Sequence, residues 1–213
     1  MIALYLVILS RGQPKSPRLF LWSAGLLWRV GKMNIVLIGY RCSGKTAAGT
    51  ILARRLARDF LDTDGLIEQE AGEPLENLIV AKGWNQFREM ERSVIATVST
   101  RDNLVIATGG GVVMDERNVQ RLKGNGLLVW LTASTVALKE RMVKEISLGR
   151  IRPSITGADP VDEIDDVLKL RAPFYKRASH LAVDTTKHDP QGVAQIIIAG
   201  LWQRVQRNDK EIR

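Results

Sequence analysis

The chain has 213 residues, of which 45% are hydrophobic and 25% charged. That composition suits one globular domain with a sizeable core and is too short for two of ordinary size. The net charge of +8 would ordinarily point to a polyanionic partner, but five of those charges (Arg11, Lys15, Arg18, Arg29 and Lys32) fall in the first 32 residues, where no acid occurs. Residues 33–213 carry only +3, with cations set among acids as in Glu140-Arg-Met-Val-Lys-Glu145, so a nucleic-acid surface is excluded. The single cysteine, Cys42, rules out an internal disulfide framework and a cysteine-based zinc site, and fits a reducing cytoplasm.

Residues 1–32 stand apart from the rest. Met1–Leu9 and Leu19–Trp28 are apolar, separated by a basic, proline-containing stretch, and neither reaches the roughly 18 to 20 apolar residues of a spanning helix. Charges that follow the apolar run argue against a secretory signal. Two readings stay open: a weak membrane or partner anchor with Trp22 and Trp28 beside cations, or translation that begins at Met33. The domain is therefore expected over 33–213, with 1–32 as an N-terminal extension and no stable membrane span.

From Met33 onward, short apolar runs alternate with segments of helical period, the pattern of a parallel sheet with crossover helices. Strands are expected at Ile35–Ile38, Phe60–Leu61, Leu104–Ala107, Leu127–Leu131 and Leu181–Val183. Helical spacing follows the first strand at Ala48, Ile51, Leu52 and Leu56, and recurs at Val193, Ile196, Ile197, Leu201 and Val205. Asp189-Pro190 reads as an N-cap with proline in the first helical position. Ser147–Pro160 breaks the alternation with Gly149, Pro153, Gly157 and Pro160 beside Arg150 and Arg152, and reads as a functional lid.

Gly39-Tyr-Arg-Cys-Ser-Gly44-Lys45-Thr46 lies between the first strand and the first helix and matches the phosphate-binding P-loop. Its glycines let backbone N–H groups wrap phosphate, Lys45 reaches the β/γ oxygens and Thr46 is placed to ligate Mg²⁺. Downstream, Leu61-Asp62-Thr63-Asp64 ends the second strand, where parallel sheets gather ligands. Asp62 suits Mg²⁺ and Asp64 suits a substrate hydroxyl as hydrogen-bond acceptor and base. A pair of turn-forming aspartates is the alternative. Phe87-Arg88-Glu89-Met90-Glu91 is helical and polar, leaving Arg88 open to a surface or a site role. The triplet Gly109-Gly110-Gly111 after the third strand suggests a backbone that a ligand approaches closely.

These motifs, with Arg152-Pro153 and Arg171-Ala-Pro-Phe-Tyr175, occur in the order and approximate spacing of shikimate kinases, and the resemblance runs from about Asn34 to Val205. It implies a five-stranded α/β fold like that of nucleoside monophosphate kinases, a lid around 147–160, ATP with one Mg²⁺, and phosphorylation of the shikimate 3-hydroxyl by a monomer. It further implies that Gly39, Cys42, Ser43, Gly44, Lys45, Thr46, Ala47, Arg141, Arg152 and His188 bind nucleotide. Asp64, Arg88, Gly109, Gly110, Gly111 and Arg171 would hold shikimate, with the two arginines on its carboxylate. Lys45, Asp64 and Arg152 would carry the chemistry, and Thr46 with Asp62 the metal.

The chain departs from the family at Cys42, where a glycine is usual, which makes a redox-sensitive P-loop thiol. The lid reads Arg152-Pro-Ser154-Ile155 in place of Arg-Pro-Leu-Leu. His188 falls where many members carry arginine. A gluconate or nucleotide kinase would share the P-loop; a non-catalytic nucleotide-binding protein would lack the intact Lys45, Asp62, Asp64 and Arg152. Two arginines converging on a carboxylate favour shikimate over those alternatives.

Overall fold

A computed structural model describes residues 32–149 and 154–211, with side chains up to 203. Arg152 and the extension up to residue 31 lie outside the described residues.

The five expected strands all form: β1 Asn34–Ile38, β2 Asp59–Asp62, β3 Leu104–Ala107, β4 Gly126–Thr132 and β5 Leu181–Asp184. They make one parallel sheet in the order β2-β3-β1-β4-β5. β1 is central and buried at every position, which is why its sequence is a continuous apolar run instead of an alternating one. The helices, in chain order, are α1 Lys45–Leu56, α2 Thr63–Ala71, α3 Leu75–Val98, α4 Glu116–Gly124, α5 Thr135–Ser147, α6 Ile164–Ala178 and α7 Pro190–Glu211.

The sheet is covered on both faces, because each strand presents apolar side chains up and down. Val36, Ile38, Ile106 and Leu128 meet α3, α4 and Tyr175 of α6 on one face. Ile35, Leu37, Val105 and Val129 meet Ala48 and Leu52 of α1 and Val193 and Ile197 of α7 on the other. Leu52 is wholly buried, and sequestering one such side chain contributes about 1.5–3 kcal/mol. A smaller cluster of Tyr40, Leu138, Met142, Ile164 and Val167 lies beside the P-loop.

Two junctions differ from or refine the sequence expectation. The Leu61–Asp64 run does not end in an isolated turn: Asp62 accepts from the Asp64 backbone N–H at 3.1 Å and caps α2. The stretch around Phe87 belongs to α3, which breaks at Gly83, where φ is 79° and ψ 169°, so its two halves wrap the site from different angles. At α7 the expected cap is present, with the Gly192 backbone N–H donating to Asp189 Oδ1 at 2.7 Å.

Because β1 is flanked by β3 and β4, the chain leaves the sheet in opposite directions beside it, and a crevice opens at the carboxyl end. The P-loop follows β1, Asp62 ends β2, and the Gly109–Gly111 triplet follows β3.

Candidate active site

The P-loop turns sharply between β1 and α1. Gly44 caps α1 at φ 89°, and Cys42 sits at φ 61°, a left-handed backbone that costs a residue with a Cβ roughly 1–2 kcal/mol. The preference for glycine at that position thus has a backbone cause. Cys42 Sγ lies 3.8 Å from Met142 Sδ. Lys45 is buried and donates to the carbonyls of Gly39 at 2.9 Å and Tyr40 at 2.8 Å, so its ammonium is folded back across the loop. Thr46 Oγ1 donates to Asp62 Oδ2 at 2.7 Å. A hydroxyl and a carboxylate so close together form a hard-oxygen donor set that suits Mg²⁺. Ser43 is buried and Ala47 is exposed on the first turn of α1.

Arg141, from α5, crosses behind the loop. It donates to Thr185 Oγ1 at 3.0 Å, to the Thr185 carbonyl at 2.7 Å and to the Cys42 carbonyl at 3.4 Å. It joins the P-loop to the end of β5. His188 is exposed in the β5–α7 connection beside Asp184.

Across the crevice is a pocket lined by Arg41, Asp64, Arg88, Glu91, Arg171, the glycine triplet and the apolar Leu75, Ile79, Trp84, Phe87 and Ile155. Arg88 pairs with Glu91 at 2.7 Å and lies over the rings of Trp84 and Phe87, which pack edge to face. Arg171, 6% exposed on α6, donates to the Gly110 carbonyl at 3.1 Å, and the Tyr175 hydroxyl donates to the same oxygen. Burial pushes the Tyr175 phenol well above its ordinary range. Asp64, also 6% exposed, faces this pocket from the first turn of α2.

The triplet does admit a close approach, and the approaching groups belong to the protein. A Cβ on Gly109 would stand 2.8 Å from Asp64 Oδ1 and 2.9 Å from Glu91 Oε1, and one on Gly110 would stand 3.3 Å from the Arg41 nitrogen. A Cβ on Gly111 would strike the Arg88 guanidinium. The three missing methyls let two carboxylates, a guanidinium and the P-loop backbone converge.

Glu91, named in the sequence only as part of a motif, proves to be a member of this pocket. Burial raises its carboxyl above the ordinary glutamate value, against the opposing pull of Arg88, and nearby Asp64 raises it further. Arg41 and Glu163 also went unread as site residues. Their pairing spans 122 positions, and no local pattern announces it; the only signal was the position of Arg41 inside the P-loop.

Among the described residues no helix is long and apolar enough to cross a membrane. The family described as shikimate kinase matches residues 41–202. A shikimate kinase of Symbiobacterium thermophilum is 40% identical over 175 residues, covering 82% of this chain and 99% of that protein. The structure of a shikimate kinase from Acinetobacter baumannii in complex with shikimate is 31% identical with a TM-score of 0.75, covering 81% of this chain and 94% of that one. A gluconokinase from Sinorhizobium meliloti, 16% identical with a TM-score of 0.52 over 85% of this chain and 98% of its own, shares the fold alone. With motifs, fold and pocket in agreement over that span, the chain belongs to the shikimate kinase family.

Proposed function

We propose that this kinase moves the γ-phosphoryl of ATP to the 3-hydroxyl of shikimate, with the nucleotide on the P-loop and the acceptor in the pocket beneath the glycine triplet. One observation carries the assignment of the acceptor: Arg88 and Arg171 enter the same pocket as Asp64, against apolar walls. A ring with a carboxylate at one end and hydroxyls at the other matches that arrangement; a nucleobase would need a stacking slot and gluconate no flat apolar wall.

In the proposed mechanism, Lys45 leaves the Gly39 and Tyr40 carbonyls for the β/γ-phosphate oxygens, while P-loop N–H groups including those of Ser43, Gly44, Lys45, Thr46 and Ala47 face the phosphates. Arg141 lies toward the base, and His188 borders that side. Thr46 and Asp62 would hold Mg²⁺, which neutralises phosphate charge when bound. Arg88 and Arg171 fork the acceptor carboxylate. Asp64 accepts the proton of the 3-hydroxyl as its oxygen bonds to the γ-phosphorus and the bond to the ADP oxygen breaks. Arg152, by the family resemblance, meets charge on the transferring phosphoryl.

The single cysteine and the need for ATP support a cytoplasmic location. A coupled ADP-release assay with ATP and Mg²⁺ tests the acceptor: turnover with shikimate and little with gluconate or nucleoside monophosphates is expected. Equal turnover on gluconate would refute the assignment.

A further inference from the structure

Glu163 is a buried acid that the phosphoryl transfer does not use. It sits at the start of α6, and its side chain is 1% exposed. A carboxylate so far from water must be paired and hydrogen-bonded to be tolerated, and this one bridges two parts of the site, with the Ile155 N–H shared between its two oxygens. Oε1 takes the Arg41 guanidinium of the P-loop in an ion pair and also accepts from the Ile155 backbone N–H at 3.2 Å. Oε2 accepts from the backbone N–H groups of Ile155 and Thr156, each at 2.9 Å, and from the hydroxyls of Ser154 at 2.8 Å and Thr156 at 2.9 Å. The same hydroxyls then accept from the next turn: Gly157 N–H donates to Ser154 Oγ at 2.8 Å and Ala158 N–H to Thr156 Oγ1 at 3.3 Å.

Arg41 and Ile155 are both walls of the acceptor pocket. Arg41 is also steadied from beneath by Tyr40, whose hydroxyl accepts from its Nε at 3.3 Å and whose ring lies 5.6 Å from its Cζ. We infer that Glu163 is a positioning residue for acceptor binding: through Arg41 and through the backbone of Ile155 and Thr156, one carboxylate holds two pocket walls in register with the P-loop. It also keeps the Arg41 charge from competing with Arg88 and Arg171 for the acceptor carboxylate. Ser154, a departure from the family's usual leucine, belongs to this arrangement as one of the hydroxyl donors.

The proposal rests on the pocket being the acceptor site, so its test has one readout that needs no acceptor. Amide hydrogen exchange at Ile155 and Thr156 is followed in the full chain for wild type, Arg41→Met, Arg41→Lys and Glu163→Gln, alongside steady-state kinetics. If the pair couples the two walls, Arg41→Met accelerates exchange at Ile155 and Thr156 several-fold. It also raises KM for shikimate about tenfold, the loss of roughly one charge-assisted hydrogen bond, with KM for ATP unchanged. Arg41→Lys, which keeps the charge, recovers part of both. The double variant Arg41→Met/Glu163→Gln is no worse than Glu163→Gln alone, since the two residues act as a unit. Unchanged exchange in Arg41→Met, or a double variant whose KM increase is the product of the single increases, overturns the coupling. Should Glu163→Gln fail to fold, the two Arg41 variants decide the question. Absence of shikimate turnover in wild type would instead overturn the acceptor assignment and leave the exchange result to judge the coupling.

Discussion

Lys45 and Arg88 are cations on opposite sides of one crevice, and they are held by different kinds of partner. Lys45 lies on two backbone carbonyls of its own loop, whereas Arg88 is fastened to the buried carboxylate of Glu91 and backed by two aromatic rings. A carbonyl is a neutral dipole that a phosphate readily displaces; a carboxylate is a full charge that stays. On the proposed function, the nucleotide side would exchange partners as ATP arrives, and the acceptor side would be held in place before its ligand comes. Removal of a cation on the first side should strike turnover, and on the second side affinity.

The largest effect expected from that contrast is on turnover. Lys45→Ala and Arg152→Ala should each lower kcat by about a thousandfold, since both are proposed to meet charge that builds on the transferring phosphoryl, with KM for shikimate moving far less. Steady-state kinetics at saturating ATP would show it, and a pure KM effect in either variant would dissolve the contrast.

A smaller effect concerns Glu91 and sharpens the rigid side. Because burial holds its carboxyl above the ordinary value of 4.5, the folded protein favours the protonated form more than the unfolded chain does. Its contribution to stability is full below about pH 4.5 and is lost as pH rises through the folded-state value. Denaturation midpoints of wild type and Glu91→Gln across pH should therefore show the wild-type advantage greatest in acid and declining upward. An advantage that grows with pH would mean that the Arg88 pair, and not burial, governs this carboxyl.

The fold was largely legible, since five apolar runs with helical segments between them admit few arrangements, and each became a strand. The nucleotide side was legible for a related reason: the P-loop is contiguous, so its spacing alone carries the geometry. The acceptor side was read only in pieces. Arg88 and Arg171 stood out through resemblance, but Glu91 is one acid among several on α3, and its burial is a tertiary property that no local pattern announces. Glu163 was harder still, because its partners are a P-loop arginine and a turn that becomes its neighbour only after folding. The glycine triplet was expected to admit the close approach of a ligand; within the protein the groups that come close to it are Asp64, Glu91, Arg88 and the P-loop backbone.

The most direct test of the two-sided site is Arg171→Ala, since Arg171 touches the pocket from α6 and takes part in no proposed chemical step. With ATP saturating, KM for shikimate should rise about ten- to 150-fold, the range of one hydrogen-bonded charge, while KM for ATP stays as in wild type and kcat changes little. A shikimate KM that does not move, or a kcat that collapses with it unmoved, would contradict the division of the site into a nucleotide side that sets turnover and an acceptor side that sets affinity.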